Sequence, residues 1–379
     1  MNIASLPGTL AIDVTLAHGQ ILSASVGSSR ATSLAGHFVG KSSGEIPLRA
    51  RQLFSLCGQA QMVAARSALN HAVGTFRPLE DLMGDGMSVL AERSLEILRS
   101  TILFWPWGDA RETALGCAAK PLRVAALATY TIITKAGEGL SSANRADILA
   151  ALETLQGAAQ ALGLTLNTSA DSDVEPWPGS VFDTLLAQCD QDIILATSRP
   201  DALTRTDDET VIAALSNDPE GFAARPALEG RRIETGAYAR LWRQERASTG
   251  FQSTRFLTRL QDLRECLVTL RRAAKTGDPD LSLCLNGGRA GPEQGFGVAE
   301  CARGRLYHLA SVDARARVRS YAIVAPTEWN FHPAGPFIEA LRHVRFAPAA
   351  QSLTAIARMA AIFDPCTAFE ITMHEVAHA

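Results

Sequence analysis

The sequence has no marked excess of charge of either sign. Its 379 residues include 36 Lys and Arg against 39 Asp and Glu, which gives a formal net charge of -3. A chain so close to neutral has no field that would attract nucleic acid or an anionic membrane surface. We therefore expect neither nucleic acid nor membrane among its partners.

Long hydrophobic runs are also missing. The nearest candidate, Thr101 to Trp107, falls well short of the roughly 18 apolar residues that a membrane-spanning helix needs. The N-terminal residues lack the basic segment and apolar run of a secretory signal. These absences favour a cytoplasmic protein.

Paired cysteines are the third absence. The cysteines are odd in number, widely scattered and never in a CxxC pair: Cys57, Cys117, Cys189, Cys266, Cys284, Cys301 and Cys366. This pattern argues against a disulfide framework and against an autonomous zinc knuckle. With 47% apolar and 20% charged residues, the composition is that of an ordinary globular protein with a sizeable core.

What the sequence does contain predicts an α+β fold in which helix predominates. Apolar and polar residues alternate on both sides of His18 and Gly19, which predicts a β-hairpin. Helical spacing of apolar residues then fills the middle of the chain, and three short β-like stretches and two helices follow Gly295. We expect a single domain over residues 1–379, with an N-terminal β segment (1–50), a helical core (51–280) and a C-terminal β/α segment (281–379).

Three stretches are predicted to lack regular structure. Residues 166–180 and 216–230 are rich in Pro, Gly and Asp and are predicted as loops. The last residues, around His374, are expected to form a mobile tail.

Cys57 and Gly58 lie at the start of a helix predicted over residues 59–72. Unpaired amide N–H groups and the helix dipole lower a cysteine pKa at such a position, which favours a thiolate nucleophile or metal ligand. An isolated Cys-Gly is nevertheless more often a small buried residue in a tight turn.

The stretch "FDPCTAF" places Cys366 near the end of the chain. Pro365 makes the turn rigid, and Asp364 could cap backbone amides there. Taken alone, this stretch too is more often structural.

The stretch "GFGVAECARGRLYH" begins at Gly295. It is no dinucleotide site, because Glu300 occupies the last glycine position of GxGxxG and no long helix follows. Gly295 and Gly297 are expected to allow close backbone approach. Glu300, Arg303 and His308 could form a polar site, or simply an ordinary strand face.

A second stretch, "APTEWNFHP", places Trp329 and His332 on a predicted turn. A ligand role for these side chains and a tryptophan that closes one edge of the core are equally compatible with the sequence.

The order of these stretches is more specific than any one of them. "SLCGQA", "GFGVAECARGRLYH", "APTEWN" and "FDPCTAF" together resemble the large subunit of [NiFe]-hydrogenases, whose motifs are RxCGxC, GxGxxExPRGxLxH, PTxWN and DPCxxC. In that family the first and last motifs supply four thiolates to a nickel-iron centre. The resemblance spans nearly the whole chain, although the helical middle contains no motif, and it implies a large-subunit-like fold.

The first motif departs from the family at three positions. The arginine position is Ser55, the second cysteine is replaced by Ala60, and the later histidine falls on Ala64. Only the first cysteine is kept, as Cys57.

The last motif departs in the same way. Cys366 is kept, the second cysteine is Phe369, and the closing histidine position is Thr372. In the family the second cysteine of each motif bridges nickel and iron, so both bridges are lost. Because two sulfurs cannot hold a soft metal with the geometry and redox properties that four provide, we expect no hydrogen oxidation and no nickel.

The degenerate motifs resemble those of the HupK- or HoxV-type formation proteins of hydrogenase operons. This resemblance implies a non-enzymatic scaffold that transiently holds an Fe(CN)2CO fragment for transfer to the hydrogenase large subunit, with a small HypC/HupF-type chaperone as a further partner. The expected metal ligands are Cys57 and Cys366, and the expected site neighbours are Gly58, Glu300, Arg303, His308, Trp329, His332 and Asp364.

Two other interpretations remain open on the sequence. If the chain held nickel, it would be a nickel-dependent hydrogenase with redox activity that lacks part of the family's ligand set. It would be a metal-free interaction protein, which recruits maturation chaperones by its shape, if neither cysteine mattered.

Overall fold

The computed structural model describes residues 8–29, 32–166, 174–242, 250–277, 284–347 and 351–376. It has the predicted α+β fold, in which helix predominates. The helices of these residues are α1 (Ile46–Leu53), α2 (Gly58–Val73), α3 (Leu79–Leu103), α4 (Arg111–Gly137), α5 (Ser142–Leu162), α6 (Val181–Gln188), α7 (Asp208–Asn217), α8 (Pro219–Ala224), α9 (Ala237–Leu241), α10 (Phe251–Thr276), α11 (Pro326–Asn330), α12 (Pro336–His343) and α13 (Ser352–Phe363). The strands are β1 (Leu10–Ala17), β2 (Gln20–Ser28), β3 (Ile193–Ile194), β4 (Asp201–Ala202), β5 (Ile233–Glu234), β6 (Leu285–Gly291), β7 (Gln294–Cys301), β8 (Gly304–Val312), β9 (Val318–Val324), β10 (Arg345–Phe346) and β11 (Phe369–Glu375).

The predicted N-terminal hairpin is confirmed as β1 and β2. His18 and Gly19 both have positive φ, 52° and 70°, as a tight two-residue hairpin turn requires. β11 pairs with β1 in parallel, with Phe369 opposite Leu10. The prediction of a mobile tail around His374 is therefore wrong, because pairing with the opposite end of the chain orders these residues.

The long helices pack around the largest apolar core. Leu98 of α3, Leu152 of α5 and Leu263 of α10 are fully buried in it, at the positions where helical spacing of apolar residues predicts an inward face. None of the described helices is both long enough and apolar enough to cross a membrane.

One predicted loop contains a helix. Within residues 216–230, α8 begins at Pro219, and the Asp218 side chain accepts a hydrogen bond from the Gly221 N–H. Proline and aspartate favour a helix start as well as a loop, because proline suits the first turn and aspartate caps it. Of residues 166–180, positions 167–173 lie outside the described residues.

A four-stranded antiparallel sheet, in the order β6-β7-β8-β9, packs against α2. Its last three strands are those predicted from the sequence. The close approach predicted at Gly295 and Gly297 is confirmed, since a Cβ atom on Gly297 would lie 2.1 Å from the Ala64 carbonyl oxygen. This contact places the start of α2 beside the end of β7.

Candidate functional site

A cavity of about 610 Å³ opens where the start of α2, the end of β7 and the segment between α13 and β11 meet. Three cysteines line it: Cys57, Cys301 and Cys366. Its other walls are largely apolar and include Leu53, Phe104 and Phe369. Apolar walls with a few convergent polar groups are typical of small-molecule and cofactor sites.

Cys57 occupies the N-cap position of α2. The N–H groups that follow it are already satisfied, because the Glu92 carboxylate accepts from the Gln59 and Ala60 N–H groups at 2.7 and 2.9 Å. Gly58 is buried, and a Cβ atom there would lie 3.0 Å from the Arg51 carbonyl oxygen. Gly58 thus allows α1 and α2 to approach each other rather than lining the cavity.

The expected low pKa of Cys57 is wrong. Burial raises the pKa of this thiol well above its ordinary value, and the adjacent Cys301 and Cys366 raise it further. Glu92 adds to the same effect, because a carboxylate rather than the thiol occupies the positive end of the helix. Burial also raises the pKa of Glu92, to about 7. The Cys57 thiol is therefore protonated at neutral pH unless a ligand displaces its proton.

Cys366 follows α13 and is held by Thr327 of α11. The Cys366 N–H donates to Thr327 Oγ1 at 3.2 Å, and the Thr327 hydroxyl lies 3.1 Å from Cys366 Sγ, to which it donates. The "PTEWN" stretch thus contacts the site through its threonine, a residue that sequence reasoning missed.

Arg303, Asp364 and Glu328 are the charged residues of the cavity wall. Among the described residues no backbone amide donates to Asp364, so the cap suggested by the sequence is not found there: its carboxylate accepts from Ser100 Oγ at 3.1 Å and lies 3.4 Å from Arg303 Nη2. Arg303 is 3% exposed and also donates to Glu96 at 3.3 Å. Within the described residues, Nε of Arg303 has no hydrogen-bond partner.

The structure places three predicted neighbours away from the cavity. The Glu300 carboxylate lies in a buried chain of ion pairs, where it accepts from Arg240 and Arg305. Trp329 is 1% exposed and packs edge-on against Phe222 in a separate apolar cluster. The ring of His332 accepts the Ala334 N–H at 3.1 Å. Ion pairing, core packing and a local turn, respectively, account for these side chains.

His308 reaches the site only indirectly. It is fully buried on β8, where Nε2 donates to Gln61 Oε1 at 2.8 Å and Nδ1 accepts from the Tyr321 hydroxyl at 2.8 Å. Gln61 Nε2 in turn lies 3.6 Å from Cys57 Sγ. His308 therefore positions Gln61, which contacts the thiol.

Burial also predicts a pH dependence of stability. It lowers the pKa of His308 to about 3, against 6.5 in an unfolded chain, so between these values only the unfolded state binds the proton. As the pH falls from 6.5 toward 3, the free energy of unfolding should drop by about 1.4 kcal/mol per pH unit through this group. Urea unfolding of the wild type and of His308→Gln should be measured from pH 7 to 4.5. The free energy of unfolding of the wild type should fall relative to that of His308→Gln by about 1.4 kcal/mol for each pH unit below 6.5.

A control variant tests whether the His308 imidazole itself causes this pH dependence. Tyr321→Phe removes one partner of His308 but leaves the ring buried, so it should keep the wild-type pH dependence. Parallel curves for wild type and His308→Gln would contradict a neutral buried histidine.

Sequence reasoning also missed Cys301. The residue is 4% exposed, ends β7 and packs with Ala60 and Leu306 in one apolar cluster that Cys57 adjoins. The signal available in the sequence was its position inside the "GFGVAECARGRLYH" stretch, two residues before Arg303. In the described part of the chain, no three side chains are already arranged to hold a metal ion.

Phe369 and Ala60, which replace the second cysteine of the last and first motifs, lie in different surroundings in the structure. Phe369 lines the cavity, so an apolar ring occupies part of this space. Ala60 is fully buried in the adjoining cluster. Neither side chain can bind a metal.

Comparisons with known proteins agree on one group of relatives. The chain is 40% identical over 372 residues to the hydrogenase expression/formation protein HupK of Rhizobium leguminosarum bv. viciae, covering 98% of each chain. It is 29% identical over 343 residues to the hydrogenase expression/formation protein HoxV of Cupriavidus necator, covering 86% of each. A family model described as nickel-dependent hydrogenase matches residues 255–372.

Solved structures show the same fold. The Ni-Fe-Se hydrogenase of D. vulgaris Hildenborough superposes with a TM-score of 0.61 at 14% identity, covering 92% of this chain and 94% of that one. An NAD+-reducing [NiFe]-hydrogenase superposes with a TM-score of 0.56 at 15% identity, covering 92% and 93%. Identities this low show a shared fold alone.

Proposed function

The chain belongs to the HupK/HoxV family of hydrogenase expression/formation proteins, and on that premise we propose that it is a maturation scaffold that transiently holds an Fe(CN)2CO fragment. The family membership agrees with the resemblance seen in the four motifs. In this proposal the fragment is cargo, and the chain itself catalyses no redox reaction.

The observation that carries the proposal is the position of the two retained cysteines. Cys57 and Cys366 come from opposite ends of the sequence, yet both line one cavity. They are close enough that Cys366 raises the pKa of Cys57. Soft thiolates suit an iron fragment that carries cyanide and carbonyl ligands.

Arg303 suits the cyanide groups of such a cargo. The nitrogen of a metal-bound cyanide accepts hydrogen bonds, and the Arg303 side chain offers an unpaired N–H at the cavity wall. Because Arg303 is buried, a hydrogen bond to it is stronger than one in water.

The cavity wall also favours temporary over permanent binding. Phe369 occupies the position of one bridging cysteine, and Ala60 that of the other, so two of the four thiolates of a nickel-iron centre are replaced by apolar groups. Binding must also displace the proton of Cys57, whose raised pKa weakens the site at neutral pH. Weak ligation allows the fragment to leave for the hydrogenase large subunit.

The proposed partners follow from this transfer. A scaffold must meet a donor and an acceptor of the fragment, and we assign these roles to a small HypC/HupF-type chaperone and the [NiFe]-hydrogenase large subunit. The exposed Leu53 and Phe104 at the cavity offer apolar surface to such a partner.

Infrared spectroscopy of the protein, isolated without oxygen from cells that make hydrogenase, tests the proposal. We expect cyanide and carbonyl bands in the wild type and their loss in Cys57→Ala and Cys366→Ala, because two thiolates are needed to hold the iron. Cys117→Ala removes an exposed thiol of α4 and should keep the bands.

Two results would contradict the proposal. Wild-type protein without cyanide or carbonyl bands would favour a metal-free interaction protein. Stoichiometric nickel, with hydrogen turnover on a dye acceptor, would favour a reduced hydrogenase.

A further inference from the structure

We propose that a second, smaller cavity of the protein binds one monovalent anion of the size of chloride. This anion cavity measures about 30 Å³ and lies where the turn between β5 and α9, α10 and the end of α13 meet. All of its described lining residues are buried. Arg303 and Asp364 line both this cavity and the larger one that contains Cys57 and Cys366. The inference goes beyond the proposed function, because it does not depend on any cargo.

The charged residues of the anion cavity leave one positive charge without a counter-charge. Five charged residues line it: Glu234, Arg255, Arg259, Arg303 and Asp364. The Glu234 carboxylate accepts from Arg255 at both of its oxygens, so these two charges compensate each other. The Asp364 carboxylate lies 3.6 Å from Arg259 Nη2 and 3.4 Å from Arg303 Nη2. One carboxylate therefore faces two guanidinium groups.

The groups that pair with these residues do not supply the missing charge. Arg303 also donates to Glu96, but Glu96 in turn pairs with Arg99 at 2.8 Å, so this addition leaves the excess unchanged. The nearby chain of ion pairs is itself balanced, with three arginines and three carboxylates: Arg93, Arg240, Arg305, Asp208, Asp262 and Glu300. Of the charges that pair with the cavity wall in the described part of the chain, none is left over to balance it, which leaves an anion from solvent.

The pKa of Arg259 reflects the same imbalance. Burial lowers the pKa of this guanidinium, and the positive charges of Arg303 and Arg255 lower it further, against the opposing effect of Asp364. Like charges that are buried together destabilise each other's charged form. An anion between them would remove this repulsion.

Hydrogen-bond donors on the wall of the anion cavity are unused. Nε of Arg255, and Nε and Nη2 of Arg303, are buried and have no hydrogen-bond partner among the described residues. Arg255 is 5% exposed and Arg303 is 3% exposed. Because an unsatisfied buried donor on a charged group is costly, an anion that accepts from these nitrogens would stabilise the fold. Arg303 has two such nitrogens, so one is still available to the larger cavity.

The arginine side chains are held in place without the anion. Cζ of Arg255 lies 4.0 Å from the ring centroid of Tyr238 and 4.1 Å from that of Phe363. Nη2 of Arg259 donates to two carbonyl oxygens at the end of α13, at 3.0 and 3.2 Å. Donors that are already ordered bind a ligand at a lower entropic cost.

The size of the cavity selects the kind of anion. A volume of about 30 Å³ offers room for one or two water-sized groups, which is too little for phosphate or for an organic carboxylate. Water alone would accept from the unused donors but would leave the excess charge in place. A halide fits both the volume and the charge.

Thermal unfolding of the purified full-length protein in chloride tests this inference. Chloride replaces gluconate, which is too large for the cavity, at constant ionic strength. We expect the melting temperature of the wild type to rise by about 2 °C for each tenfold increase in chloride above its dissociation constant, because the ligand binds only the folded state. Arg259→Gln removes the excess charge and should abolish this rise. Arg271→Gln, which replaces a partly exposed arginine of α10 outside the cavity, should keep it.

Bromide diffraction locates the anion directly. Crystals of the wild type in bromide should show an anomalous peak within the cavity that Arg255, Arg259 and Arg303 line. A cavity that is empty or holds only water in those crystals would overturn the inference, as would an equal rise of the melting temperature in wild type and Arg259→Gln. If Arg259→Gln does not fold, the bromide peak decides alone. Neither measurement involves iron, so a negative result would leave the proposed scaffold function standing.

Discussion

Cells in which Cys57 or Cys366 is replaced by alanine are expected to lose most of their hydrogenase activity. The proposed site holds its cargo through these sulfurs, and an alanine methyl group cannot bind iron. Changes to outer-shell groups of metal sites already cost about 10–100-fold, so loss of a direct ligand should reduce hydrogen uptake by roughly tenfold or more. Hydrogen uptake by cells that carry each variant, with variant levels matched by immunoblot, measures the effect.

The pattern across variants is more informative than the size of one effect. Two ligands of one metal act as a unit, so the double variant should be no worse than either single variant. Cys57→Ser should be nearly as damaging as Cys57→Ala, because a hydroxyl keeps the volume but lacks the soft sulfur.

Cys117→Ala is the control, since it removes an exposed thiol that does not line the cavity. If both single variants and the double variant support normal hydrogen uptake, the ligand role is wrong. The chain would then act in maturation without metal.

Gly297→Ala is expected to destabilise the protein by about 3 kcal/mol or more. The new methyl group would lie 2.1 Å from the Ala64 carbonyl oxygen and 2.8 Å from the Ser67 Cβ atom, so β7 could not remain against α2. Overpacking usually costs about 1–3 kcal/mol, and here backbone rather than a movable side chain blocks the way. Urea unfolding followed by circular dichroism measures the loss.

The matched control is Gly291→Ala, at the end of the neighbouring strand β6. A Cβ atom there would meet only Gln294, at 3.5 Å and beyond, which is ordinary contact. An equal unfolding midpoint for Gly297→Ala and wild type would show that the two elements are not in such close contact.

Much of the fold could be predicted from local pattern. The hairpin about His18-Gly19, the strands after Gly295 and the helix over Ser352–Phe363 follow from periodicity and turn residues. The strand Phe369–Glu375 could not, because most of its residues are exposed and its pairing partner β1 lies at the other end of the sequence. The helix at Pro219 was missed since its capping residues are also loop residues.

The candidate site, too, could be predicted from the sequence only in part. The order of the four motifs pointed to Cys57 and Cys366, which share the cavity, and to Arg303 and Asp364 on its wall. His332 and Trp329 were expected near it because they lie close to a motif in sequence, but the fold directs their side chains elsewhere.

The sequence by itself determined which thiols are kept, which bridging positions have become Ala60 and Phe369, and which family the chain resembles, since these depend only on residue identity and order. Only the tertiary structure decided that the pKa of Cys57 is raised and that Cys301 lines the same cavity. Desolvation and charge depend on what surrounds a side chain, and here those surroundings come from Glu92, Cys301 and Cys366, which are distant in sequence and adjacent in space.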